Sequence, residues 1–176
     1  LSDTRMDKVC ALGQEILSSG LNAGTSYAEV WIRDFNTFIK YAMDVTPAED
    51  IKEALNLFMC FQGADGNIQD GYVTPETARL PQHPDYTYDY LYSEYAPGYG
   101  AHKNDVETDQ ESSFVQAVAK YIIKSGDYDY LREVVAGATV ESHLEAALTF
   151  LRDYKSSPEY GGLITGATTC DWGDVQ

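Results

Sequence analysis

At 176 residues and a hydrophobic share of 44%, the chain can bury one sizeable core, and its length favours one domain over two. A formal net charge of −16 argues against nucleic acid and anionic membranes, which both select a basic footprint, and no run approaches the roughly 20 apolar residues of a membrane span. Cys10, Cys60 and Cys170 are odd in number and widely separated, fit neither a disulfide framework nor a metal-ligand spacing, and are expected to be buried thiols.

The first helix is expected from Thr4 to Ser19, where Met6, Val9, Cys10, Ile16 and Leu17 recur at helical spacing and Gly20 stands where a C-cap belongs. A second helix, carrying Phe35, Phe38, Ile39 and Ala42, is expected to open just after Asp34. Thr46-Pro47-Ala48-Glu49 reads as a third N-terminus, with Thr46 as the cap and Pro47 in the first helical position. The helix behind it places Ile51, Ala54, Leu55, Phe58 and Phe61 on one face and stops near Gln62-Gly63.

Residues 63–106 form a long irregular stretch rich in Gly, Pro, Asp and Tyr, too long for a mere connector and therefore a candidate functional loop. Asn67-Ile68-Gln69 and, much later, Leu163-Ile164-Thr165 read as short extended pieces. Helicity resumes near Glu107. From Phe114 to Ile123 apolar residues lie almost all round the helix, which predicts burial on more than one side. Lys124-Ser125-Gly126-Asp127 ends it, and a short helix over 128–136 and a longer one over 139–154 follow, the latter with Leu144, Ala147, Leu148 and Leu151 as its stripe. The expected class is all-α.

Two acidic-aromatic clusters carry the chemistry. Trp31, Arg33 and Asp34 offer an indole face, a planar fork of donors and a carboxylate, which suit a sugar ring and its hydroxyls; a packed Trp over a helix-capping Arg-Asp pair is the plainer alternative. Asp171, Trp172 and Asp174 repeat the pattern after a Gly-rich loop, and Asp174 can also be read as the N-cap of a following helix. Between them, Asp65 and Gln69 lie in a glycine-punctuated loop that lacks the closing glutamate of a calcium loop, and Glu107 and Asp109 belong to an acidic helix start where Thr108 and Glu111 suggest a capping box. Tyr86, Tyr88, Tyr90, Tyr92, Tyr95 and Tyr99 alternate with acids in a way that fits a hairpin edge, an aromatic wall for an oligosaccharide, or a partner interface. His83, His102 and His143 share no metal or triad spacing, and no phosphate-binding glycine motif is present.

Taken together and in order, these pieces resemble the six-hairpin glycosidases, the group of glucoamylase, trehalase and debranching-type enzymes. Val30-Trp31-Ile32-Arg33-Asp34-Phe35 is similar to the motif after the first helix of that family, and Gln62 through Ile68 to its cleft loop. Tyr121 through Leu131 is similar to an inter-helix turn, and Gly162 through Trp172 to the loop that delivers the general acid.

The resemblance implies an (α/α)6 toroid built from helical hairpins, of which residues 1–176 would be the N-terminal part, about half. It implies an inverting glycoside hydrolase acting without a cofactor or metal on a neutral, α-glucoside-like oligosaccharide or polysaccharide. In that scheme Asp171 or Asp174 is the general acid, with Asp171 preferred, and Trp31, Arg33, Asp34, Asp65, Gln69, Glu107, Asp109 and Trp172 bind substrate. The base would come from a later helix, so these residues alone are expected to be inactive and, with an open apolar face, to self-associate. Trp31, Arg33, Asp34, Asp109, Asp171 and Asp174 are expected to meet at one end of the helices. The rival functions are a non-catalytic helical carbohydrate-binding or interaction module and another toroid carbohydrate enzyme, a lyase or an epimerase.

Overall fold

The computed structural model describes residues 3–22, 28–74, 90–102 and 108–166. Five α-helices dominate these residues: α1 (Thr4–Ser18), α2 (Ile32–Ala42), α3 (Ala48–Cys60), α4 (Gln110–Ser125) and α5 (Val140–Phe150). A π-helical turn, Leu151–Lys155, extends α5. No helix among them is long and apolar enough to cross a membrane.

The mostly helical class expected holds, with a few strands of two or three residues added to it. β1 (Val30–Trp31), β2 (Gly71–Val73) and β3 (Gly100–His102) form an antiparallel sheet in the order β1-β2-β3, so the 63–106 stretch is not irregular throughout. Gly71 is needed there, because a Cβ would lie 3.0 Å from the Val30 carbonyl oxygen. Asn67–Gln69 is not a strand; the Gly63 N–H donates to the Asn67 carbonyl (3.0 Å) and closes a turn instead. The expected helix over 128–136 is also replaced. A 3-10 turn at Tyr128–Arg132 runs into a hairpin of β4 (Val134–Val135) and β5 (Ala138–Thr139). Its two central residues, Ala136 (φ 47°) and Gly137 (φ 88°), both adopt positive φ, as the tight right-twisted hairpin requires. A second small hairpin pairs β6 (Ser156–Ser157) with β7 (Leu163–Ile164), which agrees with the extended reading of the latter.

Helix starts are shifted by a few residues. Trp31, not Asp34, holds the cap position of α2, because the Ile32 N–H donates to the Asp70 carbonyl across the sheet (2.8 Å). Pro47, one residue after Thr46, precedes α3. Asp109 precedes α4, and Glu111, expected in a capping box, is fully buried and accepts from the Ile68 N–H (3.0 Å).

The core lies where α2, α3, α4 and α5 meet, with Phe35, Ile51, Leu55, Phe58, Phe114 and Val140 all buried. α2 and α4 are parallel neighbours: Arg33 pairs with Asp109 at their starts, Lys120 donates to Asn36 further along, and Lys124 reaches Lys40 and Asp44 at their ends. α4 buries one broad face rather than its whole circumference, and Ile123 is exposed. In α5 Ala147 and Leu151 are buried as expected, whereas Leu148 is half exposed.

α1 departs most from expectation. Asp3 caps it, accepting from the Arg5 N–H (2.9 Å), yet none of its residues is buried and Met6, Val9 and Ile16 face solvent. Cys10 shares this exposure, so it is not the buried thiol expected; Cys60 is half-buried, and burial raises its pKa. The stripe of α1 is helical in period, but apart from partly buried Leu17 it is exposed.

Candidate functional site

The starts of α2 and α4 and the three-stranded sheet gather polar side chains at one end of the helices. Arg33 and Asp109 form an ion pair there (Nη2 to Oδ1, 2.7 Å), with Arg33 mostly covered and Asp109 nearly half exposed. Trp31, next along β1, meets the His102 ring edge to face at 4.8 Å. The Asp70 N–H donates to the His102 carbonyl, and the Asp70 carboxylate accepts from Gln110 Nε2 (2.6 Å). Glu111 follows Gln110 and holds the Ile68 N–H.

Burial sets the charge states. His102 is 4% exposed, and burial pushes its pKa down to about 4, so the ring is neutral near pH 7. Asp34, in the first turn of α2, is partly buried, and burial raises its pKa despite the neighbouring Arg33 charge. A carboxyl so shifted sits nearer to exchanging a proton at moderate pH. Among the described residues no group of His, Cys, Asp and Glu is arranged to hold a metal ion.

Of the expected site residues, Trp31, Arg33 and Asp109 are brought together, and Asp34 lies beside Arg33 on the same turn. Asp65 and Gln69 are held locally. The exposed Asp65 carboxylate accepts from the Asn67 N–H and Nδ2, while buried Gln69 donates from Nε2 to the Phe61 carbonyl and Asn67 Oδ1. Glu107, Asp171, Trp172 and Asp174 lie outside the described residues, as does Cys170. Gly166, five residues before Asp171 in the sequence, lies at this end. Gly166 packs so closely on Thr108 that a Cβ would meet its Oγ1 at 3.0 Å, one residue before Asp109.

Asp70, His102 and Gln110 escaped the sequence reading. A signal existed for Gln110 and Glu111: the stripe Phe114, Ala117, Val118, Tyr121 and Ile122, extended back one turn, puts both on the buried face of α4. Buried polar residues at a helix start mark a site or a structural tie. His102 carries no comparable signal, because its environment is made by strand pairing across 30 residues of sequence.

Comparison with known proteins adds no relative: no family profile, no curated protein and no solved structure matches this chain.

Proposed function

We propose that the sheet end of the helices is the sugar-binding end of a glycoside hydrolase of the six-hairpin type, inverting and directed at a neutral, α-glucoside-like glycan. The observation that carries this reading is the Arg33–Asp109 pair beside Trp31, with Gly166 packed on Thr108. It sets an aromatic face, a fork of donors and acceptor oxygens together, five residues of chain before Asp171. The helix arrangement is compatible. Two parallel neighbours, α2 and α4, are joined through a helix running the other way, as inner and outer helices of a toroid would be.

In this scheme Trp31 supports the sugar, Arg33 and Asp34 hold its hydroxyls, and Asp171 or Asp174 protonates the leaving oxygen. The base that activates water stands about 6.5–9.5 Å across from the acid. Glu111, Asp70 and Asp109 are poor candidates, since each already accepts from Ile68, Gln110 or Arg33. The base therefore comes from another carboxylate, and the 176 residues alone bind glycan without cleaving it. The same commitments favour the second reading, a carbohydrate-binding module with no catalytic base.

Titration with neutral gluco-oligosaccharides, followed by Trp fluorescence and amide shifts, tests the site. Saturable changes centred on Trp31 and lost in Trp31→Ala are expected; no saturable response across maltose to maltopentaose sinks the glycan reading. Release of reducing sugar by this chain would instead put the base within it, with Asp34 and Glu107 the first residues to replace.

A further inference from the structure

We propose that a separate cavity of about 440 Å³, between the end of α3, the 91–95 segment, the β4–β5 hairpin and the start of α5, binds a neutral sugar unit. Its volume falls within the range of small-molecule sites. It shares no lining residue with the Trp31–Arg33–Asp109 cluster. The proposal rests on the glycan reading only for the source of the sugar; the cavity's chemistry stands by itself.

That chemistry selects against charge. In a chain of net charge −16, the cavity lining contains no Asp, Glu, Lys or Arg among the described residues. His143 is at the wall, but its two ring nitrogens are engaged by Gln62 Oε1 and the Val135 carbonyl (2.9 Å), so neither is left for a ligand. A charged ligand would lose its hydration and meet no carboxylate, ammonium or guanidinium in the lining, which is costly. An entirely apolar ligand would strand the half-buried hydroxyl of Ser93, whereas Ser142 already bonds Thr139 Oγ1 (2.7 Å). Ser93 Oγ accepts from the Tyr95 N–H (3.3 Å), leaving its own proton to donate.

The remaining surface is amphipathic in the way a pyranose is. Met59 and Phe61 are buried and give an apolar floor. Tyr92 and Tyr95 stand at the rim, 73% and 56% exposed, where aromatic faces are otherwise poorly placed in water. Tyr95 is not adrift: its hydroxyl lies 3.6 Å from where a Cβ on Gly137 would be, against the β4–β5 turn. A ring with one C–H face and an edge of hydroxyls satisfies both halves of this lining. The 62–70 segment serves both sites, Gln62 and Gly63 toward the cavity and Asp70 toward the cluster.

Cys60, half-buried in the cavity lining, provides the readout. In a Cys10→Ser, Cys170→Ser background, the rate of Cys60 alkylation by iodoacetamide is measured against maltotriose. Saturating sugar should slow alkylation several-fold, and the concentration for half-protection should rise about tenfold in Tyr95→Ala and in Tyr92→Ala. Both tyrosines are exposed, so neither change removes core packing, and circular dichroism checks the fold. Arg33→Ala should leave the protection intact. Protection of Cys60 without a response at Trp31 retains the cavity and removes the proposed function of the cluster. A response at Trp31 with Cys60 unprotected, protection indifferent to both tyrosine changes, or no sugar effect anywhere overturns the cavity proposal.

Discussion

The two ends of the helices use similar polar residues to different effect. At the end away from the sheet, Lys52 sits between Asp127 (3.3 Å) and Glu133 and over the Tyr130 ring (5.0 Å). Burial works against its charge, yet the two carboxylates outweigh it and raise its pKa. Tyr130 donates to Asn56 Oδ1 (2.8 Å), Tyr121 to Asp127 Oδ2 (3.3 Å), and Asp127 Oδ1 accepts from the Tyr130 N–H. These groups answer one another around the Gly126 turn, whose φ of 73° glycine adopts without strain. At the sheet end, Trp31, Arg33 and Asp109 lie near a carboxyl whose pKa is raised and an imidazole whose pKa is lowered. A network closed on itself stabilises. At the sheet end the half-exposed Asp109 carboxylate remains open to solvent beside Trp31, which is what the proposed sugar site requires.

The sharpest test of the structural end is Tyr130→Ala, which removes a fully buried ring and should cost about 3–5 kcal/mol by urea unfolding. A loss under 1 kcal/mol would mean the Lys52 network is not a keystone of the fold. Tyr130→Phe, which deletes only the hydroxyl bonded to Asn56, should cost about 1 kcal/mol.

Acid probes the sheet end. His102 has its folded pKa depressed to about 4 from an ordinary 6.5, so the unfolded chain takes up its proton first. Its contribution is fully present above pH 6.5 and is lost as pH falls from 6.5 to about 4, on the order of 3 kcal/mol in all. Stability measured over that window should slope less steeply in His102→Gln than in the wild type. Equal slopes would remove burial of the imidazole as a feature of the site.

The smallest effect belongs to neither network. Ala136 holds φ 47°, an uncommon value for a residue with a Cβ, and Ala136→Gly should stabilise by up to about 1 kcal/mol in thermal unfolding. No change or a loss would mean that Ala136 is not strained in the hairpin turn.

What the sequence revealed follows from pattern length. α3 and α4 carry apolar stripes over three or more turns and were legible as helices, although α4 starts at Gln110 rather than near Glu107 and buries one face rather than nearly all of it. β1, β2 and β3 are two or three residues each, below the length at which alternation can be read, and two of them start or end on residues chosen for close approach or for a ring contact, Gly71 and His102. The Trp31–Arg33–Asp34 group was visible because it is contiguous. Its partner Asp109 was visible only as an acid at a helix start, and the pairing itself depends on α2 and α4 lying parallel. α1 shows the opposite failure: a sound helical period says which face is apolar, never whether anything packs on it.

Measuring maltotriose affinity as read at Trp31 by fluorescence, together with unfolding free energy, for Arg33→Ala and Lys52→Met puts the division of labour to the most direct test. Arg33→Ala should weaken affinity at least about tenfold while stability moves by less than about 1 kcal/mol, as for a partly exposed ion pair. Lys52→Met should lower stability by about 1–2 kcal/mol, leaving Asp127 and Glu133 unneutralised, with affinity unchanged. An Arg33→Ala protein that keeps full affinity, or a Lys52→Met protein that loses it, would contradict a sugar site at the sheet end.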